Sequence, residues 1–183
     1  LHGDHILGLP GLLQTLSLNG HCGRVTIHTF REGIRFIDRI RAFFGYELGY
    51  ELEYDVMEPE RGVVLDTDAL SVEALPLNHR VDCVGYIFKE KPRMRHLLPD
   101  MLDFHKVPVA WRRRLQAGED FVKEDGTVIP NAWLTRDPTP SVSYAHLCDT
   151  AYKPSLASLV HGVDLMLHDA TYGCLLYTSD AAD

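Results

Sequence analysis

Nothing in this chain suits a membrane, and nothing suggests a cross-linked scaffold. No run approaches the roughly 20 consecutive apolar residues that a membrane span requires, and no secretory leader is recognisable. Four cysteines (Cys22, Cys83, Cys148 and Cys174) are scattered without a CxxC pair. That argues against a disulfide framework and suits a reducing cytoplasm. Internal repeats are absent. Excess positive charge is also missing: 18 basic against 26 acidic residues leave a net charge of −8, which would disfavour nucleic acid if the charge were spread evenly. It is not. Lys89-Glu90-Lys91-Pro92-Arg93-Met94-Arg95-His96 and Arg112-Arg113-Arg114 gather base in the middle of the chain, and local patches rather than net charge govern polyanion binding.

What remains is the composition of an ordinary globular domain, and 183 residues suffice for one sizeable core. Leu9 to Leu18 reads as a leucine-faced helix stopped by Asn19-Gly20. Arg24 to Thr29 alternates as a strand, and Ile34, Ile37, Ile40 and Phe44 mark an amphipathic helix over 32–44 that ends near Gly45. Strands are predicted at 50–56, 62–65, 70–77 and 84–88. From Pro92 to Pro140 the pattern weakens, with a hairpin signal at Asp125-Gly126. Regular structure returns as a strand over 141–148, a short helix over 155–160 and a buried strand over 163–167. A layered α/β domain with a less regular insertion within 92–140 fits this order.

The chemistry is concentrated at one end. Leu1-His2-Gly3-Asp4-His5 sets two imidazoles and a carboxylate beside the apolar run Ile6 to Leu13. Such groups are costly to bury without partners, and neutral imidazole and carboxylate are ligands that zinc prefers. A chance cluster on a surface loop is the alternative. His79, Asp149 and the pair His168-Asp169 each follow a predicted strand, where α/β folds gather functional groups. Taken singly, each could be a loop histidine, a turn or a helix cap. The remaining histidines, His21, His28, His96, His105, His146 and His161, lack such a context and read as structural or surface residues.

These residues carry a specific resemblance. His2-Gly3-Asp4-His5 is similar to the end of the HxHxDH motif of the metallo-β-lactamase superfamily. With Leu7-Gly8-Leu9-Pro10-Gly11-Leu12-Leu13, Pro76-Leu77-Asn78-His79 before Gly85-Tyr86, Cys148-Asp149-Thr150-Ala151 and His168-Asp169-Ala170-Thr171, the chain resembles the ribonuclease Z family of tRNA 3′-processing endonucleases, in order, to about Thr171. The resemblance implies a metallo-β-lactamase-like αββα sandwich, here incomplete, with two zinc ions per intact subunit. It also implies hydrolysis of the phosphodiester joining a tRNA precursor to its 3′ trailer, in a cytoplasmic enzyme that is usually a homodimer. By motif, His2 and His79 would bind one zinc, Asp4 and His5 the other, and Asp149 both. Asp4 would also orient the attacking water, and His168 would assist proton transfer to the departing oxygen. Arg112, Arg113 and Arg114 are candidate contacts to the tRNA backbone within a tRNA-binding insertion; a solvated basic face is the alternative.

The chain departs from the family in several places. The first histidine of HxHxDH would precede Leu1, and the family's last metal histidine lies beyond the HEAT-like segment, so a fragment truncated at both ends and poorly active by itself is expected. His-Asp-Ala-Thr shortens the usual glutamate to Asp169, which leaves its reach open. The Gly-Pro pair of the family's tRNA-gripping arm is replaced by Val107-Pro108-Val109-Ala110-Trp111. Residues 174–183 resemble a translated sequencing adapter rather than natural protein, so the domain is expected over 1–173. Two other readings share the metal cluster: a metallo-β-lactamase-fold hydrolase of a thioester, lactam or sulfate ester, and a non-catalytic metal- or RNA-binding domain.

Overall fold

A computed structural model describes residues 2–169. In chain order these form α1 (Gly3–Ile6), α2 (Gly8–Leu18), β1 (Arg24–Thr29), α3 (Arg31–Phe44), β2 (Glu51–Val56), β3 (Gly62–Asp66), β4 (Leu70–Pro76), β5 (Val84–Glu90), β6 (His96–Leu97), α4 (Pro99–Phe104), α5 (Arg112–Gln116), β7 (Phe121–Val122), β8 (Val128–Ile129), α6 (Asn131–Leu134), β9 (Thr135–Arg136), β10 (Ser143–Leu147), α7 (Ser155–Leu159) and β11 (Leu165–His168). Two compact units result. One comprises the chain up to Asp66, Val72–Phe88 and the chain from Ser143; the other comprises Thr67–Ser71 and Lys89–Val142. Leu1, Ala170, Thr171 and the adapter-like 174–183 lie outside the described residues.

In the first unit the sequence periods become layers. Pro10 sits in the first turn of α2, where a missing N–H leaves no helical bond unmade. α3 ends where the Gly45 N–H donates to the Arg41 carbonyl with Gly45 left-handed at φ 62, a conformation glycine adopts without penalty. Leu13 of α2 and Ile37 of α3 pack with Ile27 of β1 and Tyr50. β1 and β2 pair in parallel, with Ile27 opposite Tyr54 and His28 opposite Asp55. A five-stranded sheet follows in the order β11-β10-β5-β4-β3, and Leu156 of α7 covers it against Leu75, Ile87, Ala145 and Leu147. Phe30 and Met57, which follow β1 and β2, pack with Ala74 and Val84 of the larger sheet. The sequence of layers is helix, sheet, sheet, helix, as the resemblance implied.

The second unit has its own core of Leu102, Leu115, Phe121, Ile129 and Leu134. The Asp125-Gly126 signal is realised as an antiparallel pair, with Phe121 opposite Ile129 and Val122 opposite Val128. Asn131 is buried and satisfied: its side-chain amide donates to the carbonyls of Leu115 and Glu119.

One expectation needs correction. The strand expected to be buried over 163–167 is β11, and all four of its residues are exposed. It lies at a sheet edge, paired in parallel with β10 alone, and no described element covers its apolar side chains.

Gly85 fixes how closely β5 and β10 approach. A Cβ there would lie 2.7 Å from Leu147 Cδ2 and 2.8 Å from the His146 carbonyl oxygen. Backbone cannot yield as a flexible side chain can, so Gly85→Ala overpacks the sheet and should cost about 1–3 kcal/mol. Thermal unfolding is expected to shift down by about 3–10 °C; an unchanged midpoint would show that the strands can separate freely.

Candidate metal centre

The sequence-predicted ligands come from three separate stretches and converge at one end of the first unit. His2 precedes α1, while Asp4 and His5 lie within it. His79 follows β4 by three residues, and Asp149 follows β10 by two. Hydrogen bonds tie the last two loops together. The Asn78 N–H donates to Thr150 Oγ1 at 3.0 Å, and the Ala151 N–H donates to the Asn78 carbonyl at 2.7 Å. Lys153 Nζ donates to the Pro76 carbonyl at 2.6 Å.

Two groups of potential ligands share Asp149. One comprises His2, His79 and Asp149, the other Asp4, His5 and Asp149, with ligand atoms within 4.8 Å of one another in each. The His2 and His79 rings meet edge to face, 4.8 Å between centroids. His5 Nε2 lies 3.0 Å from Asp149 Oδ2 and 3.4 Å from Asp4 Oδ2. A carboxylate common to two three-group sets is the arrangement that lets two cations sit close together.

The protonation states suit ligation. Burial, and then the neighbouring His2, push the His79 pKa down, so its ring is neutral at pH 7 as metal binding requires. His79 Nε2 is buried without a hydrogen-bond partner. Orphaned buried nitrogens are rare in folded proteins, and a cation is one partner that would satisfy this one. A hydrogen bond shared with the Asp169 side chain, followed by contact with His5, holds the Asp149 carboxyl below its ordinary range. The shortened Asp169 side chain therefore does reach the central carboxylate. The residues present fit a metal pair.

The cluster opens on a cleft of about 140 Å³ lined by His2, His5, His79 and Asp149, with His28, Phe30, Met57 and Tyr86 among its other walls. His28, read from sequence as structural or surface, is one of these wall residues. Its Nδ1 lies 2.8 Å from Asp55 Oδ2. The only sequence signal for it was the parallel alternation of β1 and β2, which sets His28 opposite Asp55. His168 is placed differently: it ends β11, is exposed, and turns Nδ1 to the Asp169 carbonyl oxygen. It is not among the residues lining the cleft. In the second unit, Arg112 and Arg113 are exposed, with no ion pair among the described residues. Arg114 is engaged, pairing with Glu119 and stacking 3.9 Å over Trp111.

Comparison with known proteins accords with this geometry. The chain is 40% identical over 173 residues to ribonuclease Z of Parabacteroides distasonis, which covers 94% of this chain and 57% of that protein. It is 39% identical to ribonuclease Z of Bacteroides thetaiotaomicron, over 94% of this chain and 55% of that protein. The chain thus spans little more than half the length of the relatives it matches. The crystal structure of human tRNase Z, short form, superposes with a TM-score of 0.58 at 20% identity, over 96% of this chain and 56% of that one. That likeness supports the metallo-β-lactamase-like fold. No family model matches the chain.

Two thiols also line the cleft, Cys83 and Cys148. Burial, with Cys148 and Asp149 adding to it, pushes the Cys83 thiol up to about 11, and burial likewise raises Cys148. At pH 8 only roughly a thousandth of Cys83 is thiolate, the reactive form. Peptide mapping after brief iodoacetamide treatment at pH 8 should find exposed Cys22 alkylated and Cys83 largely unmodified, with Cys83 labelling rising as pH approaches 11. Equal labelling of Cys22 and Cys83 at pH 8 would overturn this assignment.

Proposed function

We propose, for a chain that is a relative of ribonuclease Z across nearly all of its length, that it forms part of a zinc-dependent endoribonuclease. The reaction is hydrolysis of the phosphodiester that joins a tRNA precursor to its 3′ trailer. The observation that carries this reading is the pair of three-ligand groups sharing Asp149, within a chain 34–40% identical to proteins named ribonuclease Z.

In this reading His2, His79 and Asp149 hold one zinc ion, and Asp4, His5 and Asp149 hold the other. Zinc bound there would lower the pKa of a shared water and neutralise charge on the phosphate. Asp4, whose carboxylate is largely exposed, would orient the attacking water or take its proton. Asp149 accepts contacts from His5 and Asp169 and so keeps both sides of the centre in register. His168, which the resemblance makes the proton donor to the departing oxygen, ends an exposed strand and does not line the cleft here, so that role rests on the resemblance alone. Arg112 and Arg113 offer unpaired guanidinium groups to the tRNA backbone; Arg114, held by Glu119, contributes less. Cytoplasmic action accords with the free thiols of Cys22, Cys83 and Cys148, and homodimer formation rests on the family resemblance alone.

Two measurements test the reading. In isothermal titration with zinc, Asp149→Asn should weaken binding beyond the roughly 10–100-fold typical of losing an outer-shell partner. Equal affinity in parent and variant would remove Asp149 from the centre. The reaction itself is tested by grafting this chain in place of the matching segment of the Parabacteroides distasonis protein and supplying a 3′-extended tRNA. Trailer removal that Asp149→Asn abolishes is expected; intact precursor with ready thioester hydrolysis would instead favour a different hydrolase of the same fold.

A further inference from the structure

In the second unit, α4 ends in an unusual way. The Val107 N–H donates to the Leu102 carbonyl at 2.8 Å, and the Lys106 N–H donates to the Asp103 carbonyl at 3.1 Å. This is the double hydrogen bond of a Schellman stop, and Val107 packs against the core cluster containing Leu102. The residue after the cap must then be left-handed, a position normally filled by glycine. Here it is Lys106, at φ 56, the only non-glycine residue with positive φ among those described. A lysine there is strained, because Cβ crowds the following carbonyl. The fold alone therefore prefers glycine at this position, and a function for the ammonium group is one reason to keep lysine.

Beside it lies a group of exposed rings. Phe104 is 76% exposed and Trp133, on α6, is 56% exposed. His105 joins them, edge to face with Phe104 at 4.9 Å between centroids and near-parallel to Trp133 at 6.3 Å. Singly exposed apolar residues are ordinary, but adjoining exposed rings form a patch of the kind that marks a contact surface. Whereas the rest of the chain is strongly acidic, this unit is nearly neutral. It carries ten of the chain's 18 lysines and arginines but only nine of its 26 aspartates and glutamates. Asp100 and Asp103 share α4 with the platform, yet Arg112 and Arg113 add exposed, unpaired cations to the unit.

We propose that Phe104, His105 and Trp133, with Lys106 at their side, form a stacking platform for unpaired nucleobases of an RNA ligand. Aromatic faces accept any base, and a lysine beside them meets the flanking phosphate. The proposal rests on the reading that the substrate is RNA, and deepens it by assigning base contacts where Arg112 and Arg113 supply only backbone contacts.

The test is fluorescence anisotropy of the full chain with labelled 3′-extended tRNA and with short oligoadenylate, both in chelator so that no cleavage contributes. Trp133→Ala should weaken both about tenfold or more, within the range for losing one aromatic stack, and Trp133→Phe should retain most of the affinity. Lys106→Gly should raise the melting temperature by about 2 °C through relief of the strained position, while lowering the salt dependence of RNA binding by about one counterion. That opposite movement of stability and binding guards against a merely unfolded variant. Unchanged affinities in Trp133→Ala would overturn the platform, as would a parent chain that binds neither probe. Loss of self-association with RNA binding intact would also overturn it, by showing the rings to be a contact between copies. Failure of the grafted enzyme to remove a trailer would reject the proposed reaction without touching the platform, because binding is measured independently of cleavage.

Discussion

The candidate centre depends on the strap between the loops that follow β4 and β10. His79 and Asp149 are seventy residues apart in sequence, and neither loop has enough regular structure to hold a ligand still. Buried Thr150 bridges them: its hydroxyl accepts from the Asn78 N–H and donates to the Ala151 carbonyl. The Ala151 N–H in turn donates to Asn78. Each such bond contributes only about 0.5–1.5 kcal/mol net, but a buried donor left unpaired costs about 1–3 kcal/mol. The strap therefore works chiefly by penalising any arrangement in which the two loops part, and the candidate ligands His79 and Asp149 inherit that restriction.

The sheet brings the same ends together from the other direction. Because β10 and β11 run parallel, Asp149 and His168 emerge at the same end of the sheet, with Leu147 directly opposite His168. The absence of a side chain at Gly85 lets β5 lie against Leu147, which draws Cys83 and the loop of His79 toward Asp149. Close backbone approach at one glycine and hydrogen bonding at one threonine thus do complementary work. One sets the spacing of the strands, and the other sets the spacing of the loops beyond them.

This explains which parts of the protein were legible in the sequence. β1 and α3 were recoverable because their periods, 2 and 3.6, record which face meets the core. The hairpin between β7 and β8 was legible because Asp125-Gly126 is local turn chemistry. The candidate ligands His2, Asp4 and His5 were suggested by their local chemistry, and His79 and Asp149 by their places after strands, but grouping the five into one centre was legible only through motif resemblance; no periodicity connects residues 5, 79 and 149. Properties that belong to the assembled fold were hidden. β11 is apolar in sequence yet exposed, because burial depends on neighbours rather than composition. His28 reaches the cleft wall through the β1–β2 register. Whether Asp169 reaches Asp149 depends on where β11 ends relative to β10, and a one-methylene difference in sequence could not decide it.

The distribution of charge ties the two units to one problem. The chain is acidic overall, and its basic residues are disproportionately in the second unit. The first unit, which holds the candidate centre, thus combines an acid excess with a cleft whose key groups include Asp4 and Asp149. An anion approaching that cleft is repelled until the carboxylates are countered. A cation held by Asp4 and Asp149 would supply the local remedy. Neutral His79, with its unpartnered nitrogen, fits the same logic: a protonated ring would repel a cation at that place. In the proposed reading, metal binding and anion binding would be coupled through the carboxylates themselves, because Asp149 would be both an acidic barrier to an anion and the shared ligand that removes the barrier.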